Sequence, residues 1–243
     1  MKEALKFCVN GLEIAAEFRT RDRDGILLPL LEHLSALQRA KGCRICAFLA
    51  APPAAGKSTL CLYLEKLSRE RPGLTPVQSV GIDGFHYSNS YLRSHSIERD
   101  GESIPLSSIK GGPESYDVAA LSALLEDLRG DRRWPVYDRR IHDPVPEALA
   151  LTEQIILLEG NWLLLDEPPW NSLRCDYSIF WAADSPEQLE RVVRRKVMGG
   201  FDEAEARAFV LQNDLPNIRR CMAHSRRGDL NIGYDNEGFM EVI

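Results

Sequence analysis

The chain of 243 residues carries 30 Lys and Arg against 36 Asp and Glu, a formal net charge of −6, with 44% hydrophobic and 27% charged residues. Such a length and balance suit one large α/β domain with a sizeable core, and the acidic excess argues against broad nucleic-acid or anionic-membrane binding. No basic start joins an apolar leader segment and no run approaches the roughly 18 apolar residues of a membrane span, so no membrane insertion and a cytoplasmic protein are expected.

In chain order, Asn10-Gly11 between two short apolar runs predicts a hairpin over residues 7–18. Ile26, Leu27, Leu30, Leu31, Leu34 and Leu37 recur at helical spacing, giving an amphipathic helix over residues 25–40. Both read as trim on the edge of a sheet. Six cysteines are scattered, and Cys43-Arg44-Ile45-Cys46 has the spacing of a redox pair or half a zinc site. It has no second pair and runs into a predicted strand, so buried, inert thiols are expected.

Residues 44–50 read as the first core strand, residues 58–69 as the first core helix, and residues 77–82 as the second strand, ending at Asp83-Gly84-Phe85-His86-Tyr87. Residues 88–116 are polar and without clear periodicity. Asp117 is placed to cap a helix over 118–129, with Gly130 as its stop. Residues 135–146 form a charged, proline-stiffened loop, and 155–158 a strand covered on both faces, ending in Glu159-Gly160-Asn161. A strand at 177–181 follows, then a helix opened by Ser185-Pro186, with Gln188 in a capping box and Gly199-Gly200 at its end. A second helical pattern runs over 202–213 until Pro216 breaks or bends it. Residues 230–232 are the last core strand and 234–243 a hairpin or tail. The expectation is one domain over 1–243: hairpin and helix at 1–40, core at 41–233 with a lid near 191–215, and a tail at 234–243.

The chemistry centres on Ala51-Pro52-Pro53-Ala54-Ala55-Gly56-Lys57-Ser58-Thr59. Between a strand and a helix it fits G-x-x-x-x-G-K-[S/T] at every place but the first, where Ala51 stands for Gly. Residues 54–59, Ala54 and Ala55 through Thr59, then form a curled backbone whose N–H groups face a polyphosphate at a helix start. Lys57 reaches the β- and γ-phosphates of ATP and the Ser58 hydroxyl meets Mg²⁺. A left-handed backbone at Ala51 would cost more than at Gly, which puts the loop's entrance in question. Asp83 and Glu159, at the carboxyl ends of two strands, share the loop's edge of a parallel sheet. Glu159 is placed to orient Mg²⁺ or its waters, and Asp83 to act as general base or, structurally, to cap the next turn. Arg191, Arg194, Arg195 and Lys196 are either a solvated basic face or a lid over the phosphates. The guanine-specificity motif of GTPases and the signature run of transporter ATPases are both absent, favouring a small-molecule kinase.

Asp83-Gly84-Phe85-His86, Lys110-Gly111-Gly112-Pro113-Glu114-Ser115-Tyr116-Asp117, Pro135-Val136-Tyr137-Asp138-Arg139, Glu159-Gly160-Asn161-Trp162 and Asn213-Asp214-Leu215-Pro216-Asn217 join the loop in a wider pattern. Over residues 44–232 the sequence resembles the phosphoribulokinase/uridine kinase family of P-loop kinases, in particular its pantothenate-kinase-like branch. The resemblance implies a three-layer α/β P-loop fold, nucleoside/nucleotide-kinase-like, with a lid and a parallel sheet in the order 2-3-1-4-5. It implies Mg-ATP as donor, a hydroxyl-bearing small molecule as acceptor (nucleoside, pantothenate-like compound or sugar), and Asp83 as base. It also places Lys110, Tyr137, Asp138 and Arg139 near the acceptor, with His86 and His142 as further acceptor-side candidates or structural histidines, and Arg194 and Arg195 in the lid. A nucleotide-binding regulatory ATPase attached to a transport system is the competing expectation, and a homodimer is left open.

Overall fold

The computed structural model describes residues 1–9, 12–99, 101–128, 130–183 and 187–243, without the side chains of Leu12, Glu187 and Arg195. The Asn10-Gly11 turn, the Ser185-Pro186 helix start and residue 129 lie outside the described residues. Lys2–Val9 (β1) alternates exposed and half-buried positions and pairs antiparallel with Leu12–Arg19 (β2), from Lys2 opposite Arg19 to Val9 opposite Leu12. The hairpin is longer than its apolar centre suggested, because charged pairs such as Lys2–Glu17 extend it on the solvent side. Helical backbone begins early, through Thr20–Asp22 and a π turn at Arg23–Leu27, and continues as Leu28–Lys41 (α1), closed by Gly42 at φ 64°. Leu27, Leu30, Leu31 and Leu34 are fully buried against Ile45, Leu49, Leu64 and Ile155. The N-terminal segment is therefore a layer of the core rather than trim.

Ile45–Ala50 (β3) is buried at every position and leads through the loop into Lys57–Glu70 (α2). Val77–Gly81 (β4) follows, then Asn89–Ser94 (α3) and a small antiparallel pair, Ser96–Arg99 (β5) and Glu102–Pro105 (β6). The segment read as irregular thus has its own secondary structure. Val118–Glu126 (α4) is capped by Asp117, whose side chain accepts from the Ala120 N–H, and ends short of residue 129. The proline-rich stretch is a second departure from expectation: Arg133–Asp138 (β7) and Asp143–Ala150 (β8) pair antiparallel, with a bulge between Trp134 and Val136. A two-stranded ribbon has only edge strands, so Pro135, Pro144 and Pro146 can turn their missing N–H outward.

Ile155–Gly160 (β9) and Tyr177–Trp181 (β10) are followed by Glu187–Met198 (α5) and Glu203–Phe209 (α6), the latter capped by Asp202. A π turn at Val210–Asp214 runs on into Leu215–His224 (α7). Pro216 falls in the first turn of α7, where a missing N–H removes no helical bond, so it does not break the helix. Leu230–Tyr234 (β11) and Met240–Val242 (β12) close the chain.

One sheet has the order β12-β11-β10-β3-β9-β4, parallel except for β12. Numbered along the chain, its five parallel strands stand in the order 2-3-1-4-5, and the fold is the α/β P-loop fold. Side chains alternate across β3: Ala47 and Leu49 face the layer of α1 and α2, while Phe48 and Ala50 face the layer holding Leu121, Trp162 and Cys221.

The β7–β8 ribbon sits against the turn after β4, where the Trp134 indole N–H donates to Gly81 O at 2.9 Å. A Cβ at Gly84 would lie 2.1 Å from Pro135 O and 2.4 Å from Pro135 C, both backbone atoms that cannot step aside. Gly84→Ala is expected to lower unfolding free energy by roughly 3 kcal/mol or more. Gly160→Ala, whose methyl would meet the Ile82 side chain at 2.5 Å, should cost less because a side chain can rotate away. Urea midpoints of the two variants check the ranking, and an unshifted Gly84→Ala midpoint contradicts this packing.

Candidate active site

The loop after β3 stays extended at its entrance: Ala51 is buried and its N–H donates to Gly160 O at 3.4 Å, continuing the strand pairing. Left-handed backbone falls instead on Gly56 (φ 100°) and Ala54 (φ 58°). The missing first glycine is therefore no obstacle at Ala51, and the steric penalty, about 1–2 kcal/mol, sits at Ala54. Ala55 N–H closes on Pro52 O at 3.2 Å, and Gly56 stands just before the first turn of α2, which holds Lys57, Ser58 and Thr59.

Lys57 is 7% exposed and folds back over the loop, donating to Ala51 O and Pro52 O at 3.0 Å and to Asn161 Oδ1 at 2.6 Å. The Ser58 hydroxyl donates to Glu159 Oε1 at 2.6 Å. Burial at the end of β9 raises the Glu159 carboxyl above its ordinary value, while the Lys57 ammonium and the Ser58 hydroxyl pull it back. A hydroxyl and a carboxylate held together are hard oxygen donors of the kind Mg²⁺ takes, so these residues fit that ion.

Asp83 lies in the single 3₁₀ turn Ile82–Phe85 directly after β4. Its side chain is half exposed, receives the Tyr116 hydroxyl at 3.4 Å and faces Arg139 at 3.6 Å. Its charge also acts on Glu159, so the two carboxylates share one edge of the sheet. His86 stacks on Tyr116 at 3.8 Å and meets Tyr137 edge-on at 5.6 Å. Its Nδ1 lies 3.2 Å from both Ser115 O and Ser115 Oγ; because the Ser115 hydroxyl spends its hydrogen on Gly112 O at 2.7 Å, both oxygens accept, so Nδ1 carries the hydrogen and Nε2 the lone pair. Burial lowers the imidazole pKa, keeping the ring neutral at pH 7.

Lys110 donates to Asn89 Oδ1 at 2.6 Å and to His142 O at 3.0 Å and lies 5.1 Å over the Tyr137 ring. Asn89 Nδ2 and the Tyr137 hydroxyl also donate to His142 O, at 2.8 and 2.7 Å. His142 thus contributes its backbone oxygen, presented by a left-handed φ of 54°, while its ring is exposed. Asp138 binds Arg140 through Nε and Nη2, at 3.1 and 2.7 Å, which holds its carboxyl down at about 2.

On α5, Arg194 is exposed and the Arg195 side chain lies outside the described residues. Lys196 pairs with Asp214 at 3.2 Å and covers the Phe209 ring at 3.7 Å, so it serves the helical packing. Gln188, read from spacing as a capping residue, is 2% exposed and donates from Nε2 to Pro53 O at 2.5 Å. Ala54 and Leu189 pack against Val192, Val193, Ala206 and Val210, fastening α5 and α6 to the loop. Sequence reasoning passed over four residues here. Asn161 and Tyr116 stood inside the quoted motifs and Gln188 in a capping box, none with a part in the site, whereas Asn89 acts across the chain and leaves no local signal.

No family model matches the chain. It is 40% identical over 238 residues, 96% of this chain and 97% of the other, to "Uncharacterized protein YggC" of Escherichia coli (strain K12). It is 30% identical over 185 residues, 72% of this chain and 77% of the other, to "Putative uridine kinase C227.14" of Schizosaccharomyces pombe. Among solved structures, a "putative fructose transport system kinase" from Silicibacter sp. TM1040 superposes with a TM-score of 0.68 at 28% identity, covering 82% of this chain and 98% of its own. Among the described residues no helix is long and apolar enough to cross a membrane. Loop, sheet order and relatives agree: the chain belongs to the phosphoribulokinase/uridine kinase family of P-loop kinases.

Proposed function

We propose that the protein transfers the γ-phosphoryl group of Mg-ATP to a hydroxyl of a small metabolite. The observation that carries this reading is the Ser58–Glu159 hydrogen bond beside Lys57, with Asp83 on the same sheet edge. The loop's backbone N–H groups and the first turn of α2 would receive the phosphates, with Lys57 exchanging loop carbonyls for phosphate oxygens. Bound between Ser58 and Glu159, Mg²⁺ would neutralise charge on the β- and γ-phosphates. Asp83 orients the acceptor hydroxyl and takes its proton, while Tyr116 holds the carboxylate in place; burial and the Asp83 charge keep that phenol protonated. The neutral His86 offers its Nε2 lone pair to a hydroxyl, and Tyr137 and Arg139 wall the acceptor. Helices α5 and α6 act as the lid, with the exposed Arg194 as its cation for the transferring group and Arg195 beside it in sequence, and the domain functions as one unit.

Incubation with Mg-ATP and a metabolite library, read by mass, identifies the acceptor; slow ATP turnover indifferent to every hydroxyl compound is the result against this reading. With the acceptor in hand, Asp83→Asn is expected to bind ATP normally and lose roughly 10²–10⁴-fold in kcat. A near-parental kcat removes Asp83 from the role of base. Gln188→Leu leaves the buried Pro53 carbonyl without its donor and frees Ala54 from the lid. A loss of roughly tenfold or more in Mg-ADP affinity, measured by calorimetric titration, is expected; unchanged affinity means that the loop holds its shape without the lid.

A further inference from the structure

We infer that the acceptor is itself an anion, a hydroxyl compound bearing a phosphate or carboxylate that sits between Lys110 and Arg139; this rests on the kinase reading above. The argument is one of charge. Five side chains form a connected wall beside the base: Lys110 lies over Tyr137, Tyr137 meets His86, His86 stacks on Tyr116, and Tyr116 reaches Asp83, with Arg139 beyond it. Tyr137 and Asp138 are successive residues of β7, so their side chains take opposite sides, and Arg139 follows in the turn within reach of Asp83. Asp138, the carboxylate that could have balanced this wall, is consumed by Arg140.

Within this wall the formal charges are Lys110 and Arg139 against Asp83, and the half-buried His86 ring between them is neutral. Both hydrogen-bond acceptors of Lys110 are uncharged oxygens, and among the described residues no carboxylate lies within ion-pair distance of it. Of the ribbon's other acids, Asp143 accepts from the Asn89 backbone N–H at 2.7 Å and Glu147 is exposed; among the described residues neither forms an ion pair with Lys110. Arg139 meets Asp83 at 3.6 Å, well beyond a charge-assisted N–H···O contact of about 2.7–2.9 Å, so its donors can serve a second anion. A neutral acceptor would leave one positive charge unbalanced; a phosphate or carboxylate balances it and turns the reacting hydroxyl toward Asp83. The site therefore selects by charge as well as shape.

The test uses the full chain saturated with Mg²⁺ and a non-hydrolysable ATP analogue, which fills the γ-phosphate position. Inorganic phosphate or acetate is then titrated at constant ionic strength while the thermal midpoint is followed. A saturable rise in the parent, lost in Arg139→Leu and weakened in Lys110→Met, supports the inference. No saturable rise, or an equal rise in both variants, overturns it. Should Lys110→Met fail to fold because its bonds to Asn89 and His142 are gone, the exposed Arg139→Leu decides alone. Turnover of matched pairs adds a second arm: uridine against its 5′-monophosphate, fructose against its 1-phosphate, and pantothenol against pantothenate. In any pair that reacts, the charged member is expected to lead by roughly 10²-fold in kcat/KM. Equal or better use of the neutral member overturns the inference, and the pair that reacts tells phosphate from carboxylate. If no pair reacts, the anion titration decides. Failure of the analogue itself to raise the midpoint would fault the kinase reading instead.

Discussion

The parallel register of β3 with β9, Leu49 opposite Glu159 and Ala50 opposite Gly160, is the constraint on which the site depends. Side chains alternate along a strand, so a slip of one residue would turn Glu159 into the opposite layer and carry Asn161 away from Lys57. Such a slip is resisted because both strands are buried on both faces, and Leu157 and Leu158 would have to exchange between differently shaped halves of the core. On the other side of β9, Gly81 of β4 also stands opposite Glu159, so Asp83 emerges two residues beyond the same level. Three strand ends are thereby aligned, and acid, amide and hydroxyl groups from distant parts of the sequence converge at the carboxyl edge, where open α/β sheets bind ligands.

The loop itself is not a self-sufficient structure. Ala54 in a left-handed conformation costs about 1–2 kcal/mol, and within residues 51–56 only the turn bond from Ala55 N–H to Pro52 O stands against it. The compensation comes from α5 and α6, through the apolar cluster around Val192 and Val193 and through the Gln188 bond to Pro53 O. The shape of the phosphate cradle and the position of the helical pair are therefore two readings of one equilibrium. Either can be altered through the other.

The strands that lead to the loop and carry Glu159 were legible as apolar runs, β4 as a shorter one stopped just before Asp83, and the layer order followed from the family pattern. The members of the proposed acceptor wall, His86, Lys110, Tyr137 and Arg139, came from the family resemblance alone; the ribbon that brings them together was not legible, since prolines and charges mask the alternation of β7 and β8 and its partners, such as Gly81 and Asn89, are distant in sequence. Residue type also misled in detail. Ala51 drew attention as a missing glycine, yet it continues a strand, and the strained position is Ala54, which no motif marks. His142 was noticed for its ring but acts through its carbonyl. Gln188 has the spacing of a cap toward Ser185, which lies outside the described residues, and its Nε2 makes a buried bond to Pro53 O that spacing could not show.

The proposed donor and acceptor halves differ in how they are built, and α7 joins them. The donor half rests on buried strand ends, whereas the acceptor half consists of inserted ribbons fixed by ion pairs. Glu114, just before Tyr116, pairs with Arg99 and Arg220, each at 2.8 Å; Arg220 also binds Glu167 at 2.5 Å, and Glu167 faces His224 at 3.1 Å. Single pairs this exposed contribute little, but a shared network fixes the orientation of every member. Arg220 and His224 lie on α7, and α7 is continuous helical backbone with α6 through the turn at Val210–Asp214. One helical rod thus packs against the phosphate loop at its start and grips the acceptor wall at its end. Because the rod is stiff compared with the ribbons, a shift at Ala54 cannot stay local. It must be matched at Glu114 or absorbed in the π turn, the one place along the rod where the helical bonding pattern changes.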